Sequence, residues 1–398
     1  MKQALLLTAF FAILIFSSCQ KSLFVQEQQD SQGTVGINPD HPMKDSLQVI
    51  IDKYVAKGLP GVQVAVKNAD GLFITSSGFA KIESGNKFQL TTPSWLFSIT
   101  KMYTASLLMK MKERNGINLD NKITEYLDAG ITGNIASADQ VTVRMLLSHS
   151  SGIVNVTELP EFMVGQFNNP MKQPSVSQLL SMLKGKPLLF TPGTDFYYSN
   201  TNYLLLQLIL EKITGKSYGD LLKSEITDPS GLRQTWFTMP EEQTVEAGFP
   251  NYYFDRYANE QLENVSRWNT AIANGSGGYG GIAATPSDAI HFFEALLNGE
   301  IVSASSLEEM KTWFKGKQSA QPDYGLGLEY YQYAEGTTPQ FGHEGDGIGC
   351  TTQVFYVPDN NTILYINCTA GRKLAGPYLF KTTDMKNELC RYVAKWRK

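Results

Sequence analysis

Apolar residues first recur at helical spacing at Leu47, Ile50, Ile51, Tyr54 and Val55, which predicts a helix from Asp45 to Lys57 stopped by Gly58. The pattern then changes to alternation. The stretch "GVQVAVKNADGLFITSSGFAKI" reads as two strands joined at Asp70-Gly71, a hairpin dipeptide. Helical spacing resumes at Ser98, in "SITKMYTASLLMKMKERNG", and is halted at Gly116. From about residue 118 to 275 the pattern is mainly helical with long loops, and the strongly apolar run from Tyr203 to Thr214 is capped by Gly215. Alternation returns after Tyr324: "YGLGLEYYQY", "GCTTQVFYV" and "TILYINCT" read as strands, the last two flanking a "PDNN" turn. Asp384 to Trp396 closes the chain as an amphipathic helix with Met385, Leu389 and Val393 on one face. Strands near both ends enclosing a helical middle predict an α+β fold. An antiparallel sheet (about 44–94 and 280–398) is covered on one face by the terminal helices and carries a mainly helical insertion (about 95–279).

The N-terminus has a different pattern. Lys2 precedes an apolar run from Ala4 to Phe16, too short for a comfortable membrane span, that ends in Ser17-Ser18-Cys19. This resembles a bacterial lipoprotein signal over 1–18, with Cys19 as the lipidated first residue, although Phe16 stands where leucine is usual. Polar, aperiodic residues follow, so 19–43 is expected to be a tether and 44–398 the folded domain. The chain is thus expected to be exported and lipid-anchored to a bacterial membrane.

The 398 residues, 42% hydrophobic, supply ample core. A net charge of -4 with no basic run gives no footprint for nucleic acid. Beyond Cys19 only Cys350, Cys368 and Cys390 occur. Pairing Val357 with Thr362 places the first two thiols on opposite faces, so free, buried thiols are expected. No two of the four histidines have metal-ligand spacing, and no metal or other cofactor is expected.

Chemistry enters with "FSITK". Ser98 and Lys101 lie three apart on a helix, hence on one face. Other Ser-x-x-Lys copies fall at the signal cleavage point (Ser18/Lys21), in a turn (Ser84/Lys87) and at a short helix end (Ser181/Lys184). The first turn of a helix offers unpaired N–H groups to an oxyanion, and apolar neighbours around Lys101 favour a proton-accepting amine. Tyr198-Ser199-Asn200 stands where a Pro-Gly loop runs into a helix, and His343-Glu344-Gly345 where a strand is expected to begin. His149 reads as a structural turn residue, and Tyr252, Tyr253 and Trp268 as core.

In this order the motifs resemble the serine beta-lactamase and penicillin-binding-protein superfamily, specifically its class C, D-alanyl-D-alanine carboxypeptidase and esterase branch. The segments "LPGVQVAV", "MLLSHSSGI", "TPGTDFYYSNTNY" and "GGIAATPSDAIHF" strengthen the likeness. The resemblance implies a beta-lactamase/transpeptidase-like fold and an acyl-enzyme on Ser98. Lys101 would accept or relay the proton, Tyr198 would pass it to the leaving group, and Asn200 would hold the substrate amide. The N–H groups of Ser98 and Asp346 would form the oxyanion hole, with Gly345 letting substrate approach closely.

The sequence also departs from that pattern. Beta-lactamases usually carry lysine where His343 stands and threonine or serine where Glu344 stands. An acid in the cleft would repel a substrate carboxylate, so the expected activity is hydrolysis of an ester or amide, such as a peptidoglycan-derived peptide, with weak or no beta-lactamase activity. The alternatives are a true carboxypeptidase or class C beta-lactamase, and a non-catalytic binding lipoprotein.

Overall fold

The computed structural model describes residues 36–315, 323–371 and 376–397. The expected signal segment and Cys19 lie outside them. Seven strands form the main sheet: β1 Gly61–Asn68, β2 Gly71–Gly78, β3 Asp323–Tyr324, β4 Glu329–Tyr331, β5 Gln340–Asp346, β6 Thr351–Val357 and β7 Thr362–Cys368. Their order is β2-β1-β7-β6-β5-β4-β3, and every neighbouring pair is antiparallel. Asn68 pairs with Gly71, leaving Ala69-Asp70 as a two-residue turn. Val357 pairs with Thr362, which sets Thr351 opposite Cys368. Cys350, Cys368 and Cys390 are accordingly free and buried.

Alternation decides what each face packs against. Val62, Val64 and Val66 of β1 join Leu47 and Ile51 of α1 (Lys44–Ala56) and Met385, Leu389 and Val393 of α2 (Pro377–Lys395) in one apolar cluster. The terminal helices therefore cover one face, as the periodicity predicts. A larger cluster on the other face includes Ala65, Phe341, Val354 and Tyr365 of the sheet together with the helical part. Burying each such Leu, Ile or Val stabilises by about 1.5–3 kcal/mol. The helix Thr100–Glu113 is buried on nearly all sides, from Thr100 through Met109. It forms the axis of the helical part and carries the candidate nucleophile at its head.

Three expectations need revision. Residues 36–43 are not tether: Ile37 bridges Leu72, Asn38 N–H donates to the Leu72 carbonyl at 2.6 Å, and His41 and Met43 are buried. The closing helix starts at Pro377, seven residues early, because buried Tyr378 and Thr382 share its inner face while exposed Phe380 obscures the periodicity. The helical part also contains short strands: Thr235–Phe237 pairs with Ile282–Ala284, which pairs in turn with Ser94–Trp95. Elements of two or three residues are too brief for alternation to reveal.

Candidate active site

Ser98 sits in the tight turn Phe97–Ile99 that feeds directly into the helix Thr100–Glu113. The preceding residue, Phe97, has φ +46°, a left-handed conformation uncommon outside glycine and often found at functional sites. Lys101 follows one turn on and is fully buried. Its Nζ lies 2.9 Å from Ser98 Oγ, close enough to take that proton. Asn200 Oδ1 at 2.8 Å and the Tyr279 carbonyl at 3.0 Å hold the amine in place.

Tyr198 closes the arrangement from the loop ahead of helix Asn200–Thr214. Its ring centre stands 4.8 Å from Lys101 Nζ. Burial drives the phenol well above its ordinary pKa, the Glu329 charge adds to this, and a hydrogen bond with Ser98 opposes it. The phenol therefore remains protonated at neutral pH and has a proton to give. Asn200 is itself fixed: its N–H donates to Asn155 Oδ1 at 3.1 Å and its Nδ2 to Thr157 Oγ1 at 3.0 Å. Much of its amide is engaged within the protein, so it anchors Lys101 as well as facing the cleft.

Strand β5 forms the opposite wall. His343 lies in its middle, not at its start, and is fully buried. Its Nδ1 is 2.6 Å from the Glu344 carbonyl, which can only accept, so Nδ1 carries the proton. Nε2 then accepts from the Tyr324 hydroxyl at 2.9 Å. Burial, and secondarily the Lys101 charge, lower the His343 pKa from 6.5 to about 3. This position, buried behind the cleft wall, is electrically neutral at neutral pH.

Glu344 does not present an unopposed charge there. Adjacent strand residues point to opposite faces, and the Glu344 carboxylate is paired with Lys386 on the terminal-helix face, with Tyr333 also donating at 3.2 Å. The expected repulsion by Glu344 is therefore offset by its own cation. The acid that the motif reading missed is Glu329 on β4. Its carboxylate accepts the Glu344 N–H at 2.9 Å and lies 3.8 Å from His343 Nδ1.

Gly345 has a packing role of its own. A Cβ there would come within 2.0 Å of the Leu96 carbonyl oxygen, so glycine lets β5 close on the segment that leads into Ser98. Residues 344 and 346 direct their N–H groups to the same edge of β5. On that edge β4 pairs only with residues 340–342, which leaves the Asp346 N–H aimed at the open edge beside Ser98.

A cleft of about 510 Å³ opens over Ser98, Tyr198 and Asn200. Phe162, Phe167 and Trp268 supply an aromatic wall, so Trp268 is a cleft residue, whereas Tyr252 and Tyr253 are core. Glu158, Glu329, Glu344 and Asp346 also line it, and none of the described lining residues is lysine or arginine.

The chain is similar to known proteins over most of its length. The beta-lactamase family model matches residues 47–376. Penicillin-binding protein 4* of Bacillus subtilis (strain 168) is 25% identical over 321 residues, covering 77% of this chain and 67% of that protein. The D-alanyl-D-alanine-carboxypeptidase/endopeptidase AmpH of Escherichia coli (strain K12) is 24% identical over 341 residues, covering 80% and 83%. Among solved structures, a D-stereospecific amidohydrolase from Streptomyces sp. superposes with TM-score 0.73 at 27% identity, covering 87% of this chain and 98% of that one.

Proposed function

The chain belongs to the beta-lactamase family, and from that premise we propose that it is an acyl-serine amidase or peptidase for substrates that bring no carboxylate to the cleft. Ser98 Oγ attacks the carbonyl carbon while Lys101 Nζ takes its proton. The oxyanion is held by the N–H groups of Ser98 and Asp346; each such donor contributes about 3–4 kcal/mol to transition-state stabilisation. Tyr198 gives its phenolic proton to the leaving nitrogen and regains one from Lys101, so the C–N bond breaks, the Ser98 proton departs in effect on the amine, and Lys101 and Tyr198 end as they began. Water then attacks the acyl-serine, its proton returns through the same groups, and Ser98 is restored with release of the acid.

The observation that carries the substrate class is the charge of the cleft. Its described lining offers carboxylates and no cation, and the strand position that holds lysine in beta-lactamases holds neutral, buried His343. A substrate carboxylate 4 Å from one ionised acid would lose about 1 kcal/mol in water-like surroundings and about 4 kcal/mol at the effective dielectric of a protein surface. The Streptomyces relative, named a D-stereospecific amidohydrolase, supports an amide of D configuration as the bond attacked. The test compares kcat/KM for a D-amino-acid p-nitroanilide with that for nitrocefin. We expect the anilide to be preferred, and Glu329→Gln to shift the ratio toward nitrocefin. Preference for nitrocefin in the unaltered protein contradicts this reading.

We also propose that the protein is exported and held to a bacterial membrane by lipid on Cys19, which rests on the sequence of its N-terminus. Cys19→Ser should release it from the membrane fraction. Equal retention of both forms rules Cys19 out as the anchor.

A further inference from the structure

His149 reads from the sequence as a turn residue, and it does sit in a turn, with φ +57°. Few non-glycine residues adopt that conformation, and histidine, asparagine and aspartate are the more frequent among them. Its contacts converge on the segment around Tyr198. The Tyr197 N–H donates to the His149 carbonyl at 3.0 Å, and the Ser199 N–H donates to His149 Nδ1 at 3.2 Å. The residues on both sides of Tyr198 are thus tied to one residue. The imidazole also packs on the Tyr198 ring, with centroids 4.3 Å apart and planes 38° from parallel.

The protonation state follows from these partners. Asn202 accepts from Ser151 Oγ through Oδ1 at 2.7 Å, so its Nδ2 faces His149 Nδ1, at 3.1 Å, as a donor. Nδ1 meets two donors and carries no hydrogen. The hydrogen is on Nε2, which is buried without a hydrogen-bond partner, and the Tyr324 ring stands edge-on to the imidazole at 4.6 Å. Burial, then the Lys101 charge, hold the pKa well below 6.5, so the acceptor is available at neutral pH. A cation here would also oppose Lys101.

We propose that His149 is a positioning residue for Tyr198: bracketing the backbone on both sides and packing against the ring, it holds the phenol over Lys101 and Ser98 where the leaving group is protonated. This rests on the role given to Tyr198 above. His149 touches neither substrate nor reacting atoms; it acts through the tyrosine.

The test uses two leaving groups and two substitutions. An anilide nitrogen must be protonated to leave, whereas p-nitrophenolate leaves unaided. A displaced phenol therefore slows the anilide selectively, while simple loss of folded protein lowers both alike. His149→Phe keeps a ring and removes the acceptor; His149→Asn keeps an acceptor and tolerates the left-handed backbone but removes most of the ring. Active sites are counted by fluorophosphonate titration, and kcat/KM is used because it reports acylation alone.

Tyr198→Phe should lower the anilide-to-ester ratio of kcat/KM by about a hundredfold, the usual scale of a lost general acid. His149→Phe should lower it by about tenfold or more, a partial loss on that scale. The double variant should be no worse than Tyr198→Phe, since both act through one group. Should His149→Phe fail to fold, His149→Asn is read by the same ratio. An unchanged ratio in the His149 variants, or additive losses in the double variant, overturns the positioning role while leaving Tyr198 in place. An unchanged ratio in Tyr198→Phe overturns the role of Tyr198, and the positioning role with it.

Discussion

Replacing His343 with glutamine should make the protein less sensitive to acid. In the fold, His343 donates from Nδ1 to the Glu344 carbonyl and accepts at Nε2 from Tyr324. A glutamine amide also has one group to donate and one to accept, so the substitution retains that pairing. What it removes is a proton-binding site. The folded histidine has its pKa lowered to about 3, chiefly by burial and next by Lys101, against 6.5 in the unfolded chain. Between those values the unfolded state binds more protons than the folded one, so stability is full above 6.5 and falls as the pH drops toward 3. From pH 7 to pH 5 the loss from this one group integrates to about 2 kcal/mol. Urea unfolding of both proteins at the two pH values measures it. His149 contributes in the same direction but is present in both, and so largely cancels. The variant should lose about 2 kcal/mol less than the parent over that interval. Equal losses would mean that His343 is protonated or solvated in the fold, and the neutral strand position would have to be abandoned.

Two further outcomes follow from the β5 wall. Lys386→Met should destabilise by about 3–5 kcal/mol, because it leaves the nearly buried Glu344 carboxylate without its cation; adding Glu344→Gln should recover much of this in the same unfolding assay. Gly345→Ala should cost about 1–3 kcal/mol and lower activity per titrated site, since its methyl would meet the rigid Leu96 carbonyl and push β5 from Ser98.

Strong periodicity made the frame readable. Alternation in β1, β6 and β7 gave strand identity and, through the Val357–Thr362 turn, the register that separates Cys350 from Cys368. Helical spacing placed Ser98 and Lys101 together, and their partner Tyr198 arrives at the same point in the fold. The pairing of Glu344 was not readable: its carboxylate borders the cleft but is tied to Lys386 of the terminal helix, 42 residues further along the chain. Glu329 was hidden for a different reason: it reaches β5 only through the long-range pairing of Gly342 with Glu329, which no local pattern encodes. The docking of residues 36–43 was equally silent, because His41 is held by Asn68 and stacked on Phe73 in a run that has no period.

The central claim is that Ser98 forms the acyl-enzyme with Lys101 as its proton acceptor. Intact-mass analysis with peptide mapping after treatment with a fluorophosphonate tests it most directly. The account predicts a single adduct on Ser98, absent in Ser98→Ala and formed far more slowly in Lys101→Ala. An adduct on another serine, or undiminished labelling in Lys101→Ala, would contradict it.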